Sequence, residues 1–236
     1  MAFADILRTR TWRANDVADL LDNLYAGGLG VNGWVELTET WAYASATTVT
    51  VLTDATTRFA KGMRVRFKQG GGYKYYVTSA VAATTLTITG GTDYTVANSA
   101  ITDIAISFAS GPVGYPGWFT YSPTWAAGGS MTYTSVTTGI ADFRIDGNSC
   151  TVKLATTAGT TGGSANPYIT ATPPVTILLQ SVSVDIAHSY IVDGGTTHGH
   201  LRAEDDLAVL QFFKSDGSNF GLGTDRVVRG MIVYEI

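Results

Sequence analysis

The chain has little of what metabolic catalysis usually draws on. It holds one cysteine, Cys150, in 236 residues. That excludes an intrachain disulfide and a cysteine-built metal cage, and a lone Cys reads as a small buried hydrophobe. It holds three histidines and six prolines. Charged residues make up 14% of the chain, well under the usual ~25%. No stretch approaches the ~18 consecutive apolar residues of a membrane-spanning helix, so no membrane insertion is expected. The first dozen residues carry Asp5, Arg8 and Arg10 where a secretory leader needs an apolar run. Synthesis in a cytoplasm without a signal peptide is therefore expected.

What is abundant is threonine, 35 residues, and glycine, 27 residues. Thr, Val and Tyr favour strands, and Gly favours the turns between them. The net charge of −4 is mild but uneven. Residues 40–110 carry six bases, Arg58, Lys61, Arg64, Arg66, Lys68 and Lys74, against three acids. A nucleic-acid domain usually shows a strongly basic balance and a clustered stripe; this chain shows neither, and no nucleic-acid partner is expected.

One helical pattern stands out near the N-terminus. Val17, Leu20, Leu21 and Leu24 fall at the i, i+3, i+4, i+7 spacing of an amphipathic stripe. Asn15 or Asp16 can cap its start, and Gly27 with Gly28 can end it. A helix of about three turns is marginal alone in water, so the stripe must dock, either on its own β-domain or on identical helices of an assembly. A Gly-rich tether of Gly27, Gly28, Gly30 and Gly33 follows it, which favours the assembly.

Beyond Trp34 the period changes to two. Met63, Val65 and Phe67 alternate with Arg64, Arg66 and Lys68, which places the apolar set inward and the bases outward. Gly70, Gly71 and Gly72 then allow a hairpin turn. They lack the Lys-Ser/Thr ending of a phosphate-binding loop. Further alternation around Leu86 and Ile88, and a run at 101–108, complete a small antiparallel barrel or sandwich of about five or six strands over 35–110. Gly111, Pro112, Gly114 and Pro116 mark a linker at 111–116. Four aromatics then fall within eight residues, Trp118, Phe119, Tyr121 and Trp125, each able to bury roughly 150–250 Å². A second module of about eight strands follows over 117–236. It includes a hairpin around Asp146, Gly147 and Asn148, an apolar strand at 175–184, and a final strand at 226–234. The expected organisation is a helical anchor and tether (1–34), a β shoulder (35–110), a linker (111–116) and a β-sandwich tip (117–236).

These segments resemble a family. Tyr121-Ser122-Pro123-Thr124-Trp125, the hairpin from Ala141 to Leu154, Pro173-Pro174-Val175, and the late turn Asp216-Gly217-Ser218-Asn219-Phe220 look like the C-terminal jelly-roll modules of tail and fibre proteins of long-tailed bacteriophages. The stretch from Lys61 to Tyr75 is similar to a β-module that precedes such tips. The resemblance covers most of 35–236 and is carried by turns and strand faces. It implies an all-β fold: a short N-terminal α-helix, a small antiparallel barrel or sandwich shoulder, and a jelly-roll-like β-sandwich tip. It also implies a homotrimer in the virion, joined to other tail or capsid proteins through the N-terminus. A cyclic assembly would cover sheet edges and bury the helix stripe. The implied function is a tail fibre or receptor-binding protein; the alternative is a capsid fibre or decoration protein with a purely structural role.

Candidate sites follow from both readings. Val17, Leu20, Leu21 and Leu24 form the trimer or virion anchor. Arg64, Arg66, Lys68 and Lys74 form a basic face, either solvated or docked on an acidic virion neighbour. His198 and His200 would share one strand face, and around a threefold axis three such pairs would ligate a metal, as the resemblance implies; as loop residues they would be solvated. The acidic run Glu204, Asp205, Asp206 could serve a hard cation but lacks EF-hand spacing. Saccharide is the recognition chemistry expected of the tip, with Asn166, Tyr168, Tyr190 and Asn219 as loop residues that would meet it. Asp142, Asp146, Asp185 and Asp193 are not paired by any spacing that glycoside hydrolysis would need, and no nucleophile-elbow pattern occurs. The chain therefore reads as non-enzymatic, with no cofactor.

Overall fold

Alternating apolar and Thr-rich segments separated by Gly turns fold into two antiparallel sheets. The computed structural model describes residues 32–178, 184–204 and 208–236. The anchor residues Val17, Leu20, Leu21 and Leu24 lie outside them, as do Asp205 and Asp206. In chain order the first sheet has β1 (Val35–Glu36), β2 (Ala42–Ser45), β3 (Thr48–Thr50), β4 (Arg64–Gln69), β5 (Gly72–Ala82), β6 (Thr85–Thr89) and β7 (Thr102–Ser107). The second has β8 (Phe119–Thr120), β9 (Trp125–Ala127), β10 (Met131–Asp146), β11 (Ser149–Gly163), β12 (Tyr168–Ala171), β13 (Val184–Val192), β14 (Thr196–Glu204), β15 (Val209–Lys214) and β16 (Val227–Glu235). No helix occurs among the described residues. The all-β class stands, with seven and nine strands in the two sheets.

The first sheet runs β1-β7-β4-β5-β6-β3-β2. Its core is the inward set of the alternation, with Val65, Phe67, Tyr76, Leu86 and Ile88 fully buried beside Trp41 and Phe59. Phe67 stacks on Tyr76 with ring centroids 4.9 Å apart. The β4–β5 turn is the glycine hairpin, with Gly70 and Gly71 at φ +63° and +88°.

The second sheet runs β8-β10-β11-β16-β13-β14-β15-β12-β9. The long β10–β11 hairpin turns at Gly147, φ +59°. The sheet curls back on itself. Trp125 on β9, at one edge, packs edge-on against Tyr133 of β10, with centroids 6.3 Å apart. It also donates its indole N–H to Thr138 Oγ1 at 2.9 Å. Inside the curl lie Phe143, Val152, Ile169, Ile191, Leu201, Phe212, Phe220 and Val228, which gives the sandwich character. One expectation is corrected: residues 175–178 form no strand. Their Pro173–Pro174 lead-in has no N–H to donate to a ladder, and Leu178 N–H is bonded to the Glu235 carbonyl at 2.8 Å.

The two sheets meet through a contiguous set of aromatics. Trp34 contacts Tyr75 and Tyr115, each at 6.1 Å. Tyr115 contacts Phe119 at 5.7 Å, and Phe119 contacts Phe143 at the same distance. Segment 111–116 is held here, because Trp34 donates its indole N–H to the Val113 carbonyl at 2.8 Å. Thr120 is gripped by Asp93, which accepts its N–H at 2.8 Å and its hydroxyl at 2.6 Å. Gly91 sits beneath at φ +62°, and a Cβ there would lie 1.9 Å from the Thr120 carbonyl oxygen.

Candidate functional site

The outer face of the nine-stranded sheet gathers the chemistry. On β13, Ser189 and Ile191 point into the core while His188 and Tyr190 point outward. On β14, Leu201 is buried while His198 and His200 share the outer face, because alternate residues of a strand do. Gly199 between them lies against the core, where a Cβ would come within 2.1 Å of the Phe213 carbonyl oxygen. His198 and His200 are therefore strand residues, as their shared-face reading requires.

Register assembles these residues into a platform. His188 lies opposite His200, and Tyr190 opposite His198. His200 lies opposite Phe213, and Phe213 opposite Tyr168. Directly opposed residues share a face with Cβ atoms ~4.5–5.5 Å apart. Tyr168, Phe213, His200 and His188 thus form one row across β12, β15, β14 and β13. The His200 ring is stacked on Phe213 at 5.0 Å and 11°, and Tyr168 is tilted against Phe213 at 5.4 Å. Beside the row, the Arg229 guanidinium lies 5.5 Å from the Tyr190 ring. Met231 and Val233 continue the outer face of β16, 52% and 40% exposed. Lys153 on β11 lies opposite Met231, its ammonium 3.7 Å from the Trp118 ring centroid. All three histidines of the chain sit on this face.

Sequence reasoning missed His188. The signal was available: counting outward from Gly194 in both directions places residue 188 against residue 200 in the β13–β14 hairpin. Among the described residues no group of three His, Cys, Asp or Glu side chains is gathered for a metal. One described chain supplies histidine pairs, not a cage.

The residues expected in recognition loops divide. Tyr168 and Tyr190 are on strands, which corrects their loop placement, and both belong to the platform. Asn166 and Asn219 are together at its edge, but their polar groups hold the fold. Asn166 Oδ1 accepts the Tyr168 N–H at 3.4 Å, and its carbonyl accepts the Phe220 N–H at 2.9 Å. Asn219 Nδ2 donates to the Ala165 carbonyl at 3.3 Å. In the turn between β15 and β16, Ser218 donates its N–H and hydroxyl to Asp216, holding that carboxyl below the usual carboxylate range.

The basic row is corrected in its exposure. Arg64 and Arg66 are each only 8% exposed, because the face they occupy is covered by Trp34, Tyr73 and Tyr115. Arg64 pairs with Asp146 and lies over Tyr115; Arg66 pairs with Glu36 at 2.5 Å and lies 4.8 Å from the Trp34 and Tyr73 rings. Lys68 pairs with Asp103 at 2.6 Å, and Lys74 donates to the Thr95 carbonyl at 2.6 Å. Each base has a partner within the chain.

Asp193 is likewise structural. It is nearly buried, paired with Lys214 at 2.8 Å and Arg226 at 2.9 Å, and it accepts the Gly221 N–H at 3.0 Å. It ties the loop after β15 to the end of β13.

No family model, curated protein or solved structure matches the chain. The chemistry must be read from the face itself. Aromatic rings, two opposed imidazoles and a half-exposed methionine suit apolar contact with the face of a sugar ring, with the cations of this face beside its hydroxyls.

Proposed function

We propose that the chain is a non-enzymatic structural protein of a bacteriophage virion, a tail fibre or receptor-binding protein. In this reading its N-terminal stripe anchors a homotrimer to the particle, and its jelly-roll-like β-sandwich tip meets saccharide on the host surface. The observation that carries recognition is the cross-strand row Tyr168, Phe213, His200 and His188, with Tyr190 alongside. The run of rings, Tyr168 tilted against Phe213 and His200 stacked on it, lies on the face turned away from the core, and partly exposed aromatics are favoured where one side of the ring must meet a ligand. The virion context rests on the resemblance of the 121–125, 141–154 and 216–220 segments.

The test is binding of the full-length protein to whole cells of permissive strains, with and without competing purified surface polysaccharide. Specific binding that saturates, is competed by the polysaccharide and is weakened at least tenfold by Tyr190→Ala supports the reading. Absence of binding to every permissive strain removes receptor recognition and leaves the capsid fibre or decoration role.

A further inference from the structure

The cations among the described residues are matched almost one by one. Arg58 pairs with Glu39, Arg64 and Arg144 with Asp146, Arg66 with Glu36, Lys68 with Asp103, and Lys214 and Arg226 with Asp193. Lys61 and Lys74 donate to the carbonyls of Ile236 and Thr95, and Arg202 is also engaged. Among the described residues two cations form no ion pair and donate to no carbonyl, Lys153 and Arg229, although Asp142 of β10 lies opposite Lys153. Each lies instead against an aromatic ring, Trp118 and Tyr190 respectively. Both are on the outer face of the nine-stranded sheet, on neighbouring strands. Lys153 opposes Met231, and Arg229 opposes Ala155, one outward step along. Diagonal neighbours of this kind are about 7–8 Å apart.

We propose that the platform takes an acidic saccharide, one bearing carboxylate groups, with sugar rings laid on Tyr190, Met231 and the imidazole row and carboxylates met by Arg229 and Lys153. This rests on the saccharide reading above and narrows it. A cation held against a ring face keeps its N–H donors out of an ion pair while its orientation is restricted, so less ordering is required when an anion arrives. Half-exposed Met231, opposite Lys153 and one outward step from Arg229, with Val233 beyond it, supplies apolar contact that a mere counter-ion site would not need. A charge-assisted hydrogen bond from a guanidinium is stronger than a neutral one, which makes the two cations the discriminating contacts and the rings the shared ones.

The experiment uses the full chain and three probes: a polyuronate oligosaccharide, its carboxyl-reduced neutral counterpart, and a single-stranded DNA oligomer of matched charge. Calorimetric or interferometric titration is expected to show the polyuronate bound at least tenfold more tightly than either of the others. Lys153→Gln and Arg229→Gln are each expected to weaken it about tenfold, while Lys68→Gln, on the other sheet, leaves it unchanged. Equal affinity for the carboxyl-reduced oligosaccharide, lost in Tyr190→Ala but kept in Lys153→Gln and Arg229→Gln, overturns the acidic preference and leaves the saccharide reading standing. Equal binding of the DNA oligomer overturns it in favour of unspecific charge attraction. Binding of none of the three overturns it outright, and the whole-cell assay then decides the broader reading separately.

Discussion

Arg64 of β4 and Asp146 at the end of β10 form an ion pair that joins the two sheets. The guanidinium is the buried partner, its side chain 10% exposed, whereas the carboxylate is 53% exposed. Arg64 also donates to the Gly62 carbonyl at 2.8 Å and lies over Tyr115. Removing the carboxylate leaves a buried cation against rings. Asp146→Asn is therefore expected to cost about 1–2 kcal/mol, less than the ~3–5 kcal/mol of a fully buried pair because Asp146 reaches water. Urea unfolding measures it. An unchanged midpoint would show that Arg64 is solvated in solution.

The same junction predicts cooperative unfolding. Gly62 sits at φ +77°, and a Cβ there would lie 2.3 Å from the Gly147 backbone nitrogen, so neither side can yield without separating the sheets. Gly62→Ala is expected to cost about 2 kcal/mol or more, from strain at positive φ plus the backbone clash. It should also split one calorimetric transition into two. A single undisturbed transition in this variant would contradict the rigid junction.

Local features were legible in the sequence, and pairings between distant segments were not. The Gly70–Gly71–Gly72 turn and the Asp146-Gly147-Asn148 turn depend on a few residues with special φ, so composition reveals them. Inward Val65 and Phe67 follow from period two alone. The outward side of that strand did not follow, because whether Arg64 and Arg66 meet water depends on Trp34 and Tyr115, which arrive from distant segments. The platform has the same cause. Tyr168, Phe213 and His200 come from three strands, and only register makes them neighbours. Placement of β16 between β11 and β13 is likewise non-local.

Asp193 is a second point of fragility. Its side chain is 4% exposed and faces Lys214 and Arg226, themselves 11% and 12% exposed. Asp193→Asn leaves two nearly buried cations with no carboxylate and is expected to cost about 3 kcal/mol. Protease should then cut within 215–226 before any other described loop. Equal protection in variant and parent would contradict this.

The anchor stripe makes a prediction about mass. The spacing of Val17, Leu20, Leu21 and Leu24, which lie outside the described residues, would give one apolar face to a helix too short to persist alone, and the proposed trimer would bury it. Light scattering is expected to give about three times the 24.9 kDa of one chain, and Leu20→Asp with Leu24→Asp is expected to give one. A parent protein that stays monomeric at micromolar concentration removes the trimer.

Cys150 predicts the alkaline limit of the fold. It is fully buried in the core of the second sheet, and burial pushes its thiol up to about 12 from an ordinary value near 9.0. Burial likewise raises the hydroxyls of Tyr121 and Tyr234. Between the two thiol values the unfolded chain loses the proton and the folded chain keeps it. The unfolded state then binds fewer protons, so stability falls as pH rises through that window, by up to about 1.4 kcal/mol per pH unit for this one group. Below pH 9 the thiol contributes no slope. Chemical denaturation from pH 8 to 11 is expected to show the decline, with a shallower slope in Cys150→Ala whatever its starting stability. In the folded parent at pH 8 the thiol should resist a thiol reagent until denaturant is added, because the reactive species is the thiolate and burial withholds it. Rapid modification of the native protein, or a slope identical in Cys150→Ala, would show that this cysteine is not held neutral in the core.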